Sequence, residues 1–211
     1  MGLNSILFIS FAAPLLLAIL ICRNESRTLL FFFFIGTVVA LFCGEVNGIL
    51  IGISSLGNIV FTANISPFIE ELFKAVPILL YAFLENPKKQ LLLECSALVG
   101  VGFAVLENAY ILAGNPGFVT IPLATIRGFG AGLMHGLCTM CVGYGASFIH
   151  TRKKVFYSGT IAVLTAVSIY HAIYNMLVMS EHQLVGILLP TITFIPIWIF
   201  LNRKRKLSSG F

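Results

Sequence analysis

Long apolar runs separated by short polar connections dominate the pattern of this chain. Seven runs are long enough, at about 1.5 Å per helical residue, to cross or nearly cross the hydrocarbon core of a bilayer. They cover 3–22, 28–53, 67–84, 91–113, 121–149, 155–178 and 183–201. The pattern predicts an all-α fold, a polytopic transmembrane helix bundle of about seven spans that forms one integral-membrane domain over 1–211.

Composition agrees with this interpretation. Of the 211 residues, 58% are hydrophobic and only 10% are charged, whereas an ordinary soluble domain has about 25% charged residues. A soluble domain of this length could not bury so much apolar surface. We therefore expect a multi-pass protein of the cell membrane. A disordered chain, a disulfide scaffold and a nucleic-acid-binding domain are excluded.

The basic residues outside the apolar runs predict the orientation. They lie in the connections after the first, third, fifth and seventh runs, and the other connections carry none. The positive-inside rule then places the N-terminus outside and the C-terminus in the cytoplasm. Arg23 and Arg27 directly follow the first run, which favours its retention over its removal as a signal peptide. The basic cytoplasmic face is expected to contact anionic lipid and no nucleic acid.

Ionisable side chains inside the runs are the first candidates for chemistry. A charge at the bilayer centre costs about 3 kcal/mol on the insertion scale, so such residues are functional candidates by default. If the spans alternate in direction, polar residues of four different runs come to a similar depth in the outer half of the bilayer. These residues are Glu70, Glu71, Glu107, Arg127 and His171, with His135 deeper and Glu45 as a structural partner.

Local spacing gives two of these positions a chemical role. Lys74 follows Glu71 by three residues and Glu70 by four, so its ammonium can pair with either carboxylate. A carboxylate in such a setting can act as a general base on water. His171 and Asn175 are spaced i,i+4 and share a helix face, from which both can donate hydrogen bonds to one developing oxyanion.

The fourth and fifth runs add further polar groups. Phe103 and Glu107 share a helix face, and Asn108 lies beside them. His135 is followed by glycines that permit a close approach of two helices. His135, Cys138 and Cys141 resemble metal ligands at first, but steps of three residues turn about 300° each, so their side chains fan out on an unbroken helix.

Each motif taken alone has a simpler explanation. A lone intramembrane histidine often only hydrogen-bonds across helices. Glu70 and Glu71 also fit a helix start, since Ser66 and Pro67 precede them in the manner of an N-cap and a first helical residue. Arg127 alone fits neutralisation of a glutamate. Four polar motifs at matching depth on four runs are not explained in this way.

The ordered set of motifs resembles the PrsW family of intramembrane endopeptidases. This family is related to the CAAX prenyl endopeptidases and bacteriocin-processing enzymes, and more distantly to a scaffold subunit of gamma-secretase. The resemblance covers residues 70 to 175. The matching motifs are Glu70-Glu71-x-x-Lys74, Phe103-x-x-x-Glu107-Asn108, Arg127 followed by His135 with Gly143, and His171-x-x-x-Asn175.

The resemblance implies proteolysis by a glutamate-activated water in a catalytic core of about 67–178. Glu70 would be the base and Glu71 its support, His135 would orient the water, and His171 with Asn175 would form the oxyanion hole. Glu107 matches the third acidic position of the family. The implied supporting residues are Lys74, Phe103, Asn108 and Arg127.

The resemblance also bears on the substrate. Lys74 and Glu107 depart from the prenyl-protease pattern, which has a later arginine and a histidine there, and this argues against prenylated C-termini. PrsW relatives cut membrane-anchored anti-sigma factors on the outer side of the membrane. The resemblance therefore implies a membrane-anchored protein as substrate, of which an anti-sigma factor is one example.

A zinc site, a transporter and a non-catalytic scaffold are alternatives to this interpretation. Two histidines and several glutamates could hold zinc, but the chain has no His-Glu-x-x-His run, so we expect no metal or other cofactor. An ion- or proton-coupled transporter would also carry intramembrane charges, although it would usually show inverted repeats. A non-catalytic scaffold would not need both Glu70 and Glu71, so their replacement by Gln separates these classes.

Overall fold

The protein is a helical bundle whose helices follow the apolar runs of the sequence. The computed structural model describes residues 16–20, 22–114, 117, 119–121, 124 and 127–208, and these contain no strand. The all-α prediction is confirmed for this part of the chain. Its six long helices are α1 (Asn24–Ile53), α2 (Ser66–Glu85), α3 (Lys89–Gly114), α4 (Gly132–Ala146), α5 (Lys153–Val178) and α6 (Gln183–Ser208).

Three of the helices, α1, α3 and α5, are long and apolar enough to cross a membrane. Helix α2 has 20 residues but carries charged side chains in its interior, and α4 has only 15 residues. Helix α6 is apolar over the shorter stretch Gln183–Ile197. Most of the first predicted run and part of the fifth lie outside the described residues. The number of spans and their orientation thus stay predictions.

Helix α3 lies between α1 and α4, and glycines let it approach both closely. A Cβ atom at Gly36 of α1 would collide with the carbonyl oxygen of Val99. A Cβ atom at Gly100 of α3 would collide with the carbonyl oxygen of His135, so the backbones of α3 and α4 touch at this level. Gly143, one of the glycines that follow His135, likewise leaves room for the Ser96 side chain.

Helix α2 packs against α1, α4 and α5. Its charged residues Glu70, Glu71 and Lys74 are buried against other helices, which explains how a helix with several charges can belong to an apolar bundle. The neighbours α4 and α5 also contact each other. The four elements α2, α3, α4 and α5 consequently surround one buried volume, into which the polar side chains of the sequence motifs project.

Two π-helical turns flank this volume, at Phe61–Ile65 and Arg127–Ala131. The first follows a short turn at Asn58–Val60 and runs without a break into α2. The simpler explanation, in which Ser66 is an N-cap, does not hold: Ser66 is the first helical residue, Ile65 precedes it, and no side chain caps the helix. Because the chain enters α2 already helical, the Ser66 hydroxyl is available for another partner.

Basic residues also act at the helix ends. The Arg27 guanidinium donates hydrogen bonds to the carbonyl oxygens of Ile19 (3.0 Å) and Leu20 (3.3 Å). The Lys89 ammonium at the start of α3 lies 3.8 Å from the centroid of the Tyr144 ring, which belongs to α4. These contacts join neighbouring helices at their ends.

Candidate active site

Helix α2 supplies a buried acid–base pair. The side chains of Glu71 and Lys74 are both 0% exposed, and Lys74 Nζ lies 2.6 Å from Glu71 Oε1. The i,i+3 spacing brings the two groups to the same face of the helix. The predicted pairing of Lys74 with one of the glutamates is confirmed, and Glu71 is its partner.

Histidines from two other helices complete the cluster. His171 of α5 places Nδ1 at 2.9 Å from Glu71 Oε1, and His135 of α4 places Nδ1 at 2.9 Å from Lys74 Nζ. The two imidazole rings meet edge to face with their centroids 4.8 Å apart. Polar groups from separate runs therefore meet in one cluster, while their depth in the bilayer stays a prediction.

The partners determine the tautomers that we assign. An ammonium group has only donors, so His135 Nδ1 must accept from Lys74, and the His135 proton is then on Nε2. An ionised carboxylate has only acceptors, so His171 Nδ1 must donate to Glu71. The other nitrogen of His171, Nε2, consequently carries a proton only in the imidazolium form.

Glu107 of α3 extends the cluster towards the second π-helical turn. Its Oε2 accepts a hydrogen bond from His135 Nε2 at 3.1 Å and lies 3.8 Å from Arg127 Nη2. Arg127 Nε donates to Asn108 Oδ1 at 3.1 Å, and Asn108 Nδ2 donates to the Arg127 carbonyl oxygen at 3.1 Å. Arg127 therefore both neutralises Glu107 and anchors the turn on α3.

The ring of Phe103, on α3, lies against Lys74 and His135. Its ring centroid lies 4.6 Å from Lys74 Nζ and 4.9 Å from the centroid of the His135 ring. The negative face of an aromatic ring attracts an ammonium group at this distance. Phe103 thus supports Lys74 and His135 without adding a hydrogen bond.

Glu70 has a different environment from the other two carboxylates. Its Oε1 accepts a hydrogen bond from the Ser66 hydroxyl at 2.6 Å, and Asn47 Nδ2 lies 3.4 Å away. Its Oε2 is buried without a hydrogen-bond partner, as is His171 Nε2, and the two atoms are 3.8 Å apart. Two unpartnered polar atoms that face each other inside the protein are a place for a small polar ligand.

Two of these contacts were missed in the sequence. The i,i+4 spacing of Ser66 and Glu70 is a signal compatible with their hydrogen bond, but Ser66 followed by Pro67 also fits a helix start, which hides that signal. Asn47 gives no local signal, because it belongs to α1 and reaches Glu70 only through the packing of two helices. Its neighbour Glu45, expected to be a structural partner, is exposed on α1.

Asn175 lies one helical turn after His171, as its spacing predicts. It is half-buried, and its amide Nδ2 donates to the carbonyl oxygen of Thr62 at 3.4 Å. This contact joins α5 to the first π-helical turn. A side-chain amide has two N–H donors, so one of them is left for another acceptor.

The cluster also contains donors of the kind that bind zinc. One ligand atom from each of Glu70, His135 and His171 lies within 4.8 Å of the other two. The free Glu70 Oε2 and His171 Nε2 suit an ion, but both nitrogens of His135 are engaged, Nδ1 by Lys74 and Nε2 by Glu107. Because an ammonium at the third ligand repels a cation, this arrangement does not fit a three-ligand metal site.

Comparison with protein families identifies the family of the chain. A family model described as "PrsW family intramembrane metalloprotease" matches residues 24–201, which include every residue of the cluster. Comparisons with curated proteins and with solved structures found no match. Since the match covers most of the chain, the protein belongs to the PrsW family of intramembrane proteases.

Proposed function

We propose that the protein hydrolyses a peptide bond of a membrane-anchored protein near the outer side of the bilayer, with water activated by Glu70. The observation that carries this proposal is the gap of 3.8 Å between Glu70 Oε2 and His171 Nε2, both buried and without a partner. A water molecule about 2.8 Å from each atom would bridge the gap with ordinary hydrogen bonds. The gap therefore supports a site for the attacking water.

Glu70 is proposed as the base because its carboxylate makes no contact with an ammonium group and its free Oε2 faces the free His171 Nε2. Glu71 Oε2 is also without a partner, but the Glu71 carboxylate is paired with the Lys74 ammonium. Glu71 Oε1 already accepts from both Lys74 and His171, and Glu107 is bound to His135 and Arg127. Glu71 therefore acts as the group that orients His171, in the way that a buried carboxylate orients the histidine of a catalytic triad. The other oxygen of Glu70, Oε1, is contacted by the Ser66 hydroxyl and the Asn47 amide, which are both neutral.

In the proposed reaction, the water oxygen attacks the carbonyl carbon of the substrate while Glu70 Oε2 takes a proton from the water. His171 is proposed to be an imidazolium before the attack and to remain one throughout, so it neither gains nor loses a proton. The developing oxyanion accepts hydrogen bonds from the Asn175 amide and from His171 Nε2. When the C–N bond breaks, the protonated Glu70 gives its proton to the leaving amine. No step requires a metal ion.

The family resemblance assigns the orientation of the water to His135. The geometry favours a different division of roles, since both nitrogens of His135 are engaged whereas His171 Nε2 is free. We propose that His135 holds Lys74 and Glu107 in place, and that His171 faces the water. His135 is then a positioning residue that acts through its two partners.

The proposed substrate is a single-pass or lipid-anchored protein, such as a membrane-anchored anti-sigma factor. Burial of Glu70 and His171 among the helices supports this class, because a substrate segment within the bilayer can enter from the side between helices. We further propose that the basic residues of the connections contact anionic lipid on the cytoplasmic face.

The test compares the N-termini of membrane proteins in cells that make the wild type or Glu70→Gln at equal abundance. Gln keeps the shape of Glu but cannot accept the proton, so we expect the rate at which new N-termini appear to fall about 100- to 10,000-fold. Glu85→Gln is the matched control, since Glu85 is an exposed glutamate on the same helix. Equal N-termini from the wild type and Glu70→Gln would contradict the proposal and favour a scaffold or a transporter.

A further inference from the structure

We infer that Ser66 and Asn47 are positioning residues for the general base, which they hold so that Glu70 Oε2 faces His171. This inference rests on the proposed function of Glu70. The two residues come from different helices and meet the same oxygen of the same carboxylate. Neither belongs to the motifs that mark the site in the sequence.

Ser66 makes the shorter contact. It is buried, and its hydroxyl donates to Glu70 Oε1 at 2.6 Å across one turn of α2. A hydroxyl group has one proton to donate. Since that proton goes to Glu70, the lone pairs of the Ser66 oxygen are left to accept a hydrogen bond from elsewhere.

Asn47 of α1 supplies that hydrogen bond. Its Nδ2 donates to Ser66 Oγ at 2.5 Å and also lies 3.4 Å from Glu70 Oε1. The chain of donors therefore runs in one direction, from Asn47 through Ser66 to Glu70. Because the Asn47 N–H group donates to Ser66 Oγ, it cannot accept the hydroxyl proton of Ser66. That proton therefore stays directed at the Glu70 carboxylate.

The direction of this chain has a consequence for Glu70. The terminal torsion of a glutamate is broad, so an unrestrained carboxylate exchanges or turns its two oxygens. Donors to Oε1 alone break that symmetry and leave Oε2 towards His171 Nε2. Both donors are neutral, so they hold the carboxylate without the ion pair that occupies Glu71. A base that is oriented before the substrate arrives is an established way to lower a barrier.

The experiment measures kcat and KM of purified protein in detergent. The probe is a fluorescence-quenched peptide that spans a cleavage position mapped by the N-terminal comparison described above. For Ser66→Ala we expect kcat to fall about 10- to 100-fold, since the base is present but no longer oriented, with KM unchanged within about twofold. Ser66→Thr keeps the hydroxyl and is expected to recover most of kcat, and Asn47→Ala should give a smaller loss of the same kind.

Ser96→Ala is the matched control. Ser96 is also a fully buried helical serine with a 2.6 Å hydrogen bond, but its acceptor is the carbonyl oxygen of Leu92 on its own helix. We expect this variant to keep the wild-type kcat, and the melting temperature of each variant separates misfolding from loss of orientation.

The outcomes separate this inference from the proposed function. Wild-type kcat in Ser66→Ala, or equal losses in Ser66→Ala and Ser66→Thr, would overturn the positioning role while leaving Glu70 as the base. A rise in KM at unchanged kcat would also overturn it, because it would assign Ser66 to substrate binding. Absence of cleavage by the wild type would instead refute the proposed function itself.

Discussion

Lys74 is a fully buried ammonium group that depends on its neighbours. It donates to Glu71 and to His135, and the Phe103 ring lies over it at 4.6 Å. A buried charge without a partner is strongly unfavourable, whereas a buried pair can be replaced by apolar groups at little loss. Removal of Lys74 is therefore expected to destabilise the protein mainly because the buried Glu71 carboxylate would lose its cationic partner.

Replacement of Lys74 tests this dependence. We expect Lys74→Met to lower the free energy of unfolding by about 3 to 5 kcal/mol, because it leaves the Glu71 carboxylate buried without its cation. The double variant Lys74→Met with Glu71→Gln should be less destabilised than the sum of the two single variants. Thermal unfolding in detergent measures all three. Additive losses would show that the two groups are not coupled.

The same residues give a prediction about metal ions. Because the Lys74 ammonium meets His135 Nδ1, we expect cleavage by the purified protein to survive EDTA at a concentration that inactivates a zinc protease treated in parallel. The readout is the rate of peptide cleavage with and without the chelator. Loss of activity that added zinc restores would contradict the prediction and would make Glu70, His135 and His171 the ligands.

Local spacing predicted some of these contacts and not others. The pair of Glu71 and Lys74 follows from i,i+3 geometry, which any α-helix imposes on its own surface. The i,i+4 geometry of the same helix joins Ser66 to Glu70. Asn47 could not be placed in this way, because its distance to Glu70 depends on how α1 and α2 pack.

Among the elements, α3 and α4 make a close backbone contact near the site. The contact occurs where Gly100 faces the carbonyl oxygen of His135. The absence of a side chain at this one position sets how near His135 comes to Phe103, and through it to Lys74. Helix packing at a glycine thus fixes the position of His135.

Gly100→Ala is the corresponding prediction. The added methyl group would meet the backbone of α4, so we expect a loss of about 1 to 3 kcal/mol in the free energy of unfolding and a parallel loss of cleavage. Gly48→Ala serves as control, since a Cβ atom at Gly48 has no atom within 4 Å. The melting temperatures of the two variants in detergent give the comparison. Equal melting temperatures for the two would show that α3 and α4 can separate without loss.

At the scale of the whole molecule, buried and half-buried charges are balanced between two helices and one turn. Lys74 and Arg127 face Glu71 and Glu107, and Glu70 is left with neutral donors. The groups come from α2, α3 and the turn before α4, so their balance exists only when the bundle is assembled. A buried cluster of this kind links the folding of the bundle to the geometry of the site.

The orientation of the molecule gives a further prediction. In a cysteine-free parent, we expect an impermeant maleimide to label Ser55→Cys in intact cells, since the connection after α1 is predicted to lie outside. Lys153→Cys, in a predicted cytoplasmic connection, should be labelled only after permeabilisation. The reverse pattern would invert the topology and would move the site to the inner half of the bilayer.

The sequence by itself determined the helical class of the fold and the helix that carries each motif. It did so because apolar runs and i,i+3 or i,i+4 spacings are properties of a single helix. Only the tertiary structure decided which atoms meet. His171 and Glu71 are 100 residues apart, and their hydrogen bond depends on the rotation and separation of packed helices. The free faces of Glu70 and His171 follow from those contacts, so the proposed place of the water became visible only in the assembled bundle.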